Sequence, residues 1–225
     1  MSYSRKQVLT LIIAVVCLVL EATGSSAALH HYVQKYRHIL PTQEQLDRLG
    51  RYDPYITYFT SFSYSQPGHK VNPDFIRALI LAESDGYPDA LSPEGARGVT
   101  QILYPTGKKA AREIAARADT LRFVTKKQLV NLKPNDLYNP AINILLACYL
   151  IAEYNAKFGG KLDLVVSAWN AGTHSIINNR PANYPETLNH IGKVNGYFLY
   201  FLRQRRASYR VVYRRQTDST IPTRP

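Results

Sequence analysis

One carboxylate, Glu83, stands at the end of an apolar run in residues 78–106, ALILAESDGYPDALSPEGARGVTQILYPT, and a loop rich in glycine and proline follows it. Residues three and four apart share a helix face, so in a helix Glu83 lies beneath Leu79 and Ile80, on the stripe expected to be buried. A carboxyl held against apolar groups has its ionised form disfavoured, and such a group can donate a proton near neutral pH and take one back afterwards. The chemistry indicated is general acid–base work by a single residue. The plainer alternative is a boundary glutamate that reaches solvent or caps a neighbouring backbone.

Ten residues from this point on, Glu83, Ser84, Pro88, Ala90, Ser92, Pro93, Gly95, Ala96, Gly98 and Gln101, keep the spacing E-S-x-x-x-P-x-A-x-S-P-x-G-A-x-G-x-x-Q. That pattern resembles the first two motifs of the SLT-type lytic transglycosylases. Later, Ala168-Trp169-Asn170-Ala171-Gly172 resembles the family's A-Y-N-A-G, and Glu186-Thr187 followed by Val194 resembles its late E-T-x-x-Y-V-x-x-V segment. Together the motifs span roughly Tyr52 to Phe201. The resemblance implies a mainly α, lysozyme-like helical domain of the goose-type/SLT kind, with little or no β-structure.

The same resemblance implies cleavage of peptidoglycan glycan strands between N-acetylmuramic acid and N-acetylglucosamine. Glu83 would protonate the glycosidic oxygen and then deprotonate the C6 hydroxyl of the muramic acid, closing a 1,6-anhydro ring. Ser92 and Gln101 match positions that line the cleft and hydrogen-bond the sugar; as loop residues they would instead brace their own turn. Trp169 would stack on a sugar face, and Asn170 would orient the cleft or hold a helix end. No cofactor and no metal are implied. Trp169 and His190 both stand where the family has tyrosine, and Asp85-Gly86-Tyr87 departs from its usual glycine, aromatic, asparagine. Two other functions remain open: a lysozyme-type hydrolase in which Asp85 or another carboxylate positions water, and a non-catalytic wall-binding module of a secretion or conjugation system.

The elements that must position these residues can be outlined from the chain itself. Asn72-Pro73 has the form of an N-cap and first helical position, and Phe75, Ile76, Leu79 and Ile80 continue at helical spacing, which predicts about three turns leading to Glu83. Asn139-Pro140 opens a second helix, apolar nearly all round and stopped by Gly159-Gly160, which suits the centre of a domain. Within it, Asn143 is expected to be a buried amide bonded to backbone, and Cys148 a core residue. Tyr55, Tyr58, Phe59 and Phe62 recur at helical spacing as packing residues in an earlier helical stretch. Lys108 to Ala118 has the composition of an alanine-rich helix, residues 120–134 that of a polar insertion, and Leu162 to Asn170 that of a short helix ended by Gly172.

Arg5 and Lys6, the apolar run 8–20 and the small residues 24–28 have the layout of a secretory signal. The chain then divides into a signal at 1–27, an N-terminal helical extension at 28–70, the lysozyme-like domain at 71–202 and a basic tail at 203–225. This predicts an exported, periplasmic protein, or one retained by an uncleaved N-terminal anchor. A formal net charge of +12 over 225 residues favours anionic polymers. Export selects wall or membrane over nucleic acid, which is not expected as a partner. Arg203, Arg205, Arg206, Arg210, Arg214 and Arg215, interleaved with Tyr209 and Tyr213, would suit an anionic surface; a solvated tail is the alternative. A secretion, conjugation or pilus machine enters as a partner by analogy alone. His30, His31 and His38 complete no metal-ligand pattern.

Overall fold

The computed structural model describes residues 27–117 and 121–218, with backbone alone from 208 onward. The expected signal or anchor therefore lies outside the described residues, apart from residue 27, and so does most of the basic tail's side-chain chemistry. The described residues form helices joined by loops: α1 (27–36), α2 (Gln43–Gly50), α3 (Asp53–Phe59), α4 (Pro73–Ser84), α5 (Tyr104–Arg117), α6 (Lys126–Val130), α7 (Pro140–Phe158), α8 (Leu162–Ala171) and α9 (Pro185–Asp218). Short 3-10 turns occupy Pro134–Tyr138 and Thr173–Ser175. No strand occurs among these residues. The only extended pairings are isolated bridges, Leu91 with Arg97, Arg97 with Ile102, and Ile177 with Arg180.

Helix α7 is the centre. Its residues from Ala141 to Tyr149 are all buried, and α3, α5, α8 and α4 pack around it. Asn139 accepts a hydrogen bond from the Ala141 amide and caps its start, and Gly159 ends it in the left-handed conformation. Helix α4 is built the same way. Asn72 Oδ1 accepts from the Asp74 amide, Phe75, Ile76 and the run 78–82 are buried, and Asp85 closes the helix at φ 52°. Helix α4 lies along α9, which also packs on α8.

Two segments differ from what composition suggests. Helix α5 begins at Tyr104, with Pro105 in its first turn, where a proline's fixed φ and missing N–H do no harm. The polar insertion contains α6, held by a capping box between Thr125 and Gln128 and by the buried side chains of Val124, Leu129 and Leu132. Helix α9 runs on through residue 203, and its basic end is tied down: Arg205 pairs with the buried Asp74 at 2.7 Å. Helix α1 docks against α9, where Lys35 Nζ and Tyr36 Oη both donate to Asn189 Oδ1. The approach is so close that a Cβ at Gly196 would stand 2.3 Å from the Tyr36 carbonyl oxygen.

The loop between α4 and α5 is irregular, so its backbone polar groups need partners elsewhere. Asn143, buried in α7, supplies them. Its Oδ1 accepts from the Thr100 amide (2.9 Å) and hydroxyl (2.6 Å), and its Nδ2 donates to the carbonyls of Arg97 and Leu137 (both 2.9 Å). Gly98, at φ +80°, lets the chain come this near: a Cβ there would meet Leu137 O at 2.2 Å and Asn143 Nδ2 at 2.6 Å. Asn143→Ala, which strands buried donors and acceptors, is expected to cost about 3 kcal/mol or more. Gly98→Ala should destabilise the chain comparably, and denaturant unfolding of both variants measures the effect.

Candidate active site

Glu83 occupies the last turn of α4, and the end of that helix is held from two sides. Ser84 Oγ donates to Val99 O at 2.8 Å and accepts from the Gly86 amide, tying the helix to the loop. Lys193 of α9 donates its Nζ to Ala82 O at 3.0 Å, placing a cation at the carbonyl end of the helix. The Glu83 side chain is 14% exposed. Its Oε1 accepts from Trp169 Nε1 at 2.7 Å and lies 3.2 Å from His190 Nε2. Thus the last turn of α4, the end of α8 and the start of α9 meet at one carboxylate.

This carboxylate faces a groove of about 730 Å³. The α4–α5 loop lines it with Ser92, Glu94, Ala96 and Gln101; α8 contributes Trp169 and Asn170, and Tyr184, Glu186 and Thr187 come from the start of α9 and the turn before it. Tyr154 also lines it, and burial holds its hydroxyl above the usual phenol range, so it stays protonated. A second cavity, of about 530 Å³, opens between residues 65–72, the end of α7 and α9. No carboxylate lines it; its titratable lining residues are His69 and Lys70.

All five residues expected in the site line the one groove, though what they bond to differs. Ser92 Oγ accepts from the Ala96 amide at 3.2 Å, within the turn Ser92–Gly95. Gln101 sits at φ 52° and donates Nε2 to Ala90 O (3.0 Å) and Gly98 O (2.8 Å). Both therefore brace the loop they stand on. Trp169 meets Tyr154 edge to face at 6.5 Å and gives its N–H to Glu83. The indole can donate but not accept, so here it acts as a fixed donor to the carboxylate. Asn170 Oδ1 accepts from Thr187 Oγ1 at 2.7 Å, pinning α8 to α9.

Asp85 is placed elsewhere. As the left-handed cap of α4, it accepts from Gln45 Nε2 at 2.8 Å, with its carbonyl held by Arg48, and it does not line the groove. His190 is the site residue that sequence reasoning left unassigned. Its signal was its place four residues after Glu186, on the same face of a helix. Among the described residues, no group of three or more His, Cys, Asp or Glu could hold a metal ion.

A helical body with one carboxylate at a helix end, facing a long groove, defines a lysozyme-like class of protein. The family profile of the transglycosylase SLT domain matches residues 61–190, and the chain belongs to that family. It is 29% identical over 119 residues to a Haemophilus influenzae protein assigned as a soluble lytic murein transglycosylase, a match covering 53% of this chain and 18% of that one. Among solved structures it is similar to the 70 kDa soluble lytic transglycosylase Slt70 of Escherichia coli, with a TM-score of 0.52, 20% identity, and coverage of 67% of this chain and 24% of that one. The 70 kDa enzyme in complex with bulgecin A gives the same TM-score. An inactive variant of the lytic transglycosylase Slt from Pseudomonas aeruginosa matches with a TM-score of 0.50 at 20% identity, over 72% of this chain and 24% of that one. At such identity the likeness establishes the fold. The chain spans about a quarter of the length of these solved relatives and less than a fifth of the curated one.

Thr187→Val keeps the size of the side chain but removes the hydrogen bond to Asn170 Oδ1 that joins α9 to α8. It is expected to destabilise the fold by about 1 kcal/mol, measured by denaturant unfolding.

Proposed function

We propose that this chain is a peptidoglycan lytic transglycosylase that cleaves the β-1,4 bond between N-acetylmuramic acid and N-acetylglucosamine, with Glu83 as acid and then base. The observation that carries the proposal is the setting of Glu83. It is a largely buried carboxylate at a groove of about 730 Å³, and the groups touching its Oε1 are an indole and an imidazole, not a second acid. Ordinary glycosidases need two carboxylates, roughly 5–5.5 Å apart when retaining and roughly 6.5–9.5 Å apart when inverting. A transglycosylase needs one, because the substrate brings its own nucleophile.

The steps follow from that geometry. Trp169 holds Oε1, which leaves Oε2 to carry the proton toward the glycosidic oxygen. As that oxygen takes the proton, the C1–O bond breaks and the sugar gains oxocarbenium character. The Glu83 carboxylate then accepts the proton of the C6 hydroxyl while O6 bonds to C1, closing the anhydro ring. Tyr184, 59% exposed and lining the groove, offers a ring face to a sugar. Ser92 and Gln101 hold the opposite wall at its distance, and Asn170 holds α8 against α9.

Since the substrate lies outside the cytoplasm, the protein works there, in keeping with the secretory layout of residues 1–27. Residues 203–225 would form a basic tail suited to an anionic surface. A secretion, conjugation or pilus machine is the natural setting for an enzyme that opens the wall locally. A hydrolase is the second function to consider, because Glu94 and Glu186 line the same groove and either could position water.

Digestion of purified sacculi by the full chain decides between them. Anhydro-muropeptides, lighter by one water than hydrolytic products, are expected, and reducing ends in their place would establish a muramidase. Glu83→Gln should lower the rate about 1,000-fold or more with the fold intact. Trp169→Phe keeps an aromatic ring but removes the donor to Oε1, and should lower the rate about 10- to 100-fold.

A further inference from the structure

His190 is 9% exposed, on α9, and its Nε2 has no hydrogen-bond partner even though it stands 3.2 Å from Glu83 Oε1. A buried polar nitrogen left in this state loses the free energy of the bond it does not make. Catalytic hydrogen bonds are often long or misaligned before substrate binds and tighten afterwards. Of the two groups touching Oε1, Trp169 can only donate and cannot titrate, whereas an imidazole nitrogen can both take and give a proton.

The surroundings leave few competitors for that proton. Helix α4 brings Glu83; α8 brings Trp169 and Asn170, neither charged. On α9 itself, Glu186 and Lys193 lie one turn to either side, and Lys193 is engaged with Ala82 O. Helix α1 contributes Lys35 and Tyr36, both bonded to Asn189.

We propose that His190 is a positioning residue that shares the acid–base proton with Glu83 and thereby sets the pH range over which the groove works. This rests on the assignment of Glu83 as acid and base. The pair holds one proton between them, and the Oε1–Nε2 contact tightens when substrate binds. Oε2 gives that proton to the glycosidic oxygen as the C1–O bond breaks, and the pair is left without it. When O6 bonds to C1, the C6 hydroxyl returns one, so the pair ends the cycle with the proton count it began with. With one proton shared by the pair, the carboxyl can act as the acid for as long as the pair keeps that proton. Loss of activity on the alkaline side then follows the pair. A tyrosine at position 190, as the family has, could not do this near neutral pH.

Two measurements test it. The first, NMR titration of the His190 ring in the full chain, needs no activity: in Glu83→Gln the ring loses its anionic partner, so its midpoint should move to lower pH. Coincident titrations would overturn the proposal. The second is the pH profile of sacculus digestion by His190→Gln, with His190→Tyr as the substitute should the first fail to fold. Anhydro products are expected to persist, with the alkaline limb moved to lower pH by about one unit and kcat at neutral pH about tenfold lower at unchanged KM. A limb superimposed on that of the unsubstituted protein would reduce His190 to a packing residue. Hydrolytic products from the unsubstituted chain would instead refute the transglycosylase assignment, and the titration would still decide whether the pair exists.

Discussion

The buried amide of Asn143 is the constraint on which the rest of the site depends. The loop between α4 and α5 forms no regular structure, yet it is the wall that makes a groove out of the end of a helix. A loop packed inward with unpaired peptide groups would be unstable. Asn143 answers this from the central helix by bonding Thr100 on one side and the Arg97 and Leu137 carbonyls on the other, so all its polar capacity is spent on backbone and one hydroxyl. Because the stretch Ala141–Tyr149 of α7 is buried on every face, the amide cannot drift, and the distance between the loop and Glu83 is inherited from the core. Gly98 is the corresponding demand on the loop: no larger residue fits between the amide and the turn.

The position of Glu83 at the carbonyl end of α4 has its own logic. A helix terminus is where a side chain can leave the packed face while its backbone stays rigid. The carbonyl end is also unfavourable for a negative charge, and the molecule offsets this with groups drawn from other elements. Lys193 of α9 sits on the Ala82 carbonyl and the Trp169 N–H of α8 points at the carboxylate, while Ser84, the last residue of α4 itself, joins the helix end to Val99. None of these is contributed by α4's own apolar face. The carboxyl is thus held by a directional bond from α8, and the helix end that carries it by one from α9, a more specific environment than the greasy pocket that the helical periodicity suggests.

The helices that carry the site were legible because their ends are written in short-range chemistry. Asn72-Pro73 and Asp85-Gly86 bracket α4, and Asn139-Pro140 and Gly159-Gly160 bracket α7, where caps and left-handed stops act within a few residues. Helix α6 was not legible, since five residues with a capping box and one buried leucine make no periodic signal. The start of α5 was hidden by Pro105, which breaks a helix interior but suits a first turn. At the site, the motifs brought Glu83, Ser92, Gln101, Trp169 and Asn170 to one groove, but they did not distinguish a side chain facing ligand from one bracing its own loop, as Ser92 and Gln101 do. The bond from Trp169 to Glu83 joins residues 86 apart in the chain, and no local spacing encodes it. The approach of His190 to Glu83 likewise joins α9 to α4, and no local spacing encodes it.

Charge is arranged along the same frame. In a chain of net charge +12, the charged residues lining the groove are all glutamates, Glu83, Glu94 and Glu186. The basic end of α9 lies elsewhere, where Arg205 is anchored on Asp74 and Arg203 on the Arg37 carbonyl. From His190 to Arg205 the helix rises about 22 Å at about 1.5 Å per residue. One rigid element therefore joins the groove to a cationic surface at a fixed separation. The glutamate-lined groove disfavours negative charge, and the basic end of the helix favours it. Beside the Glu83 carboxyl stand an indole and an imidazole, and no lysine or arginine lines the groove it faces.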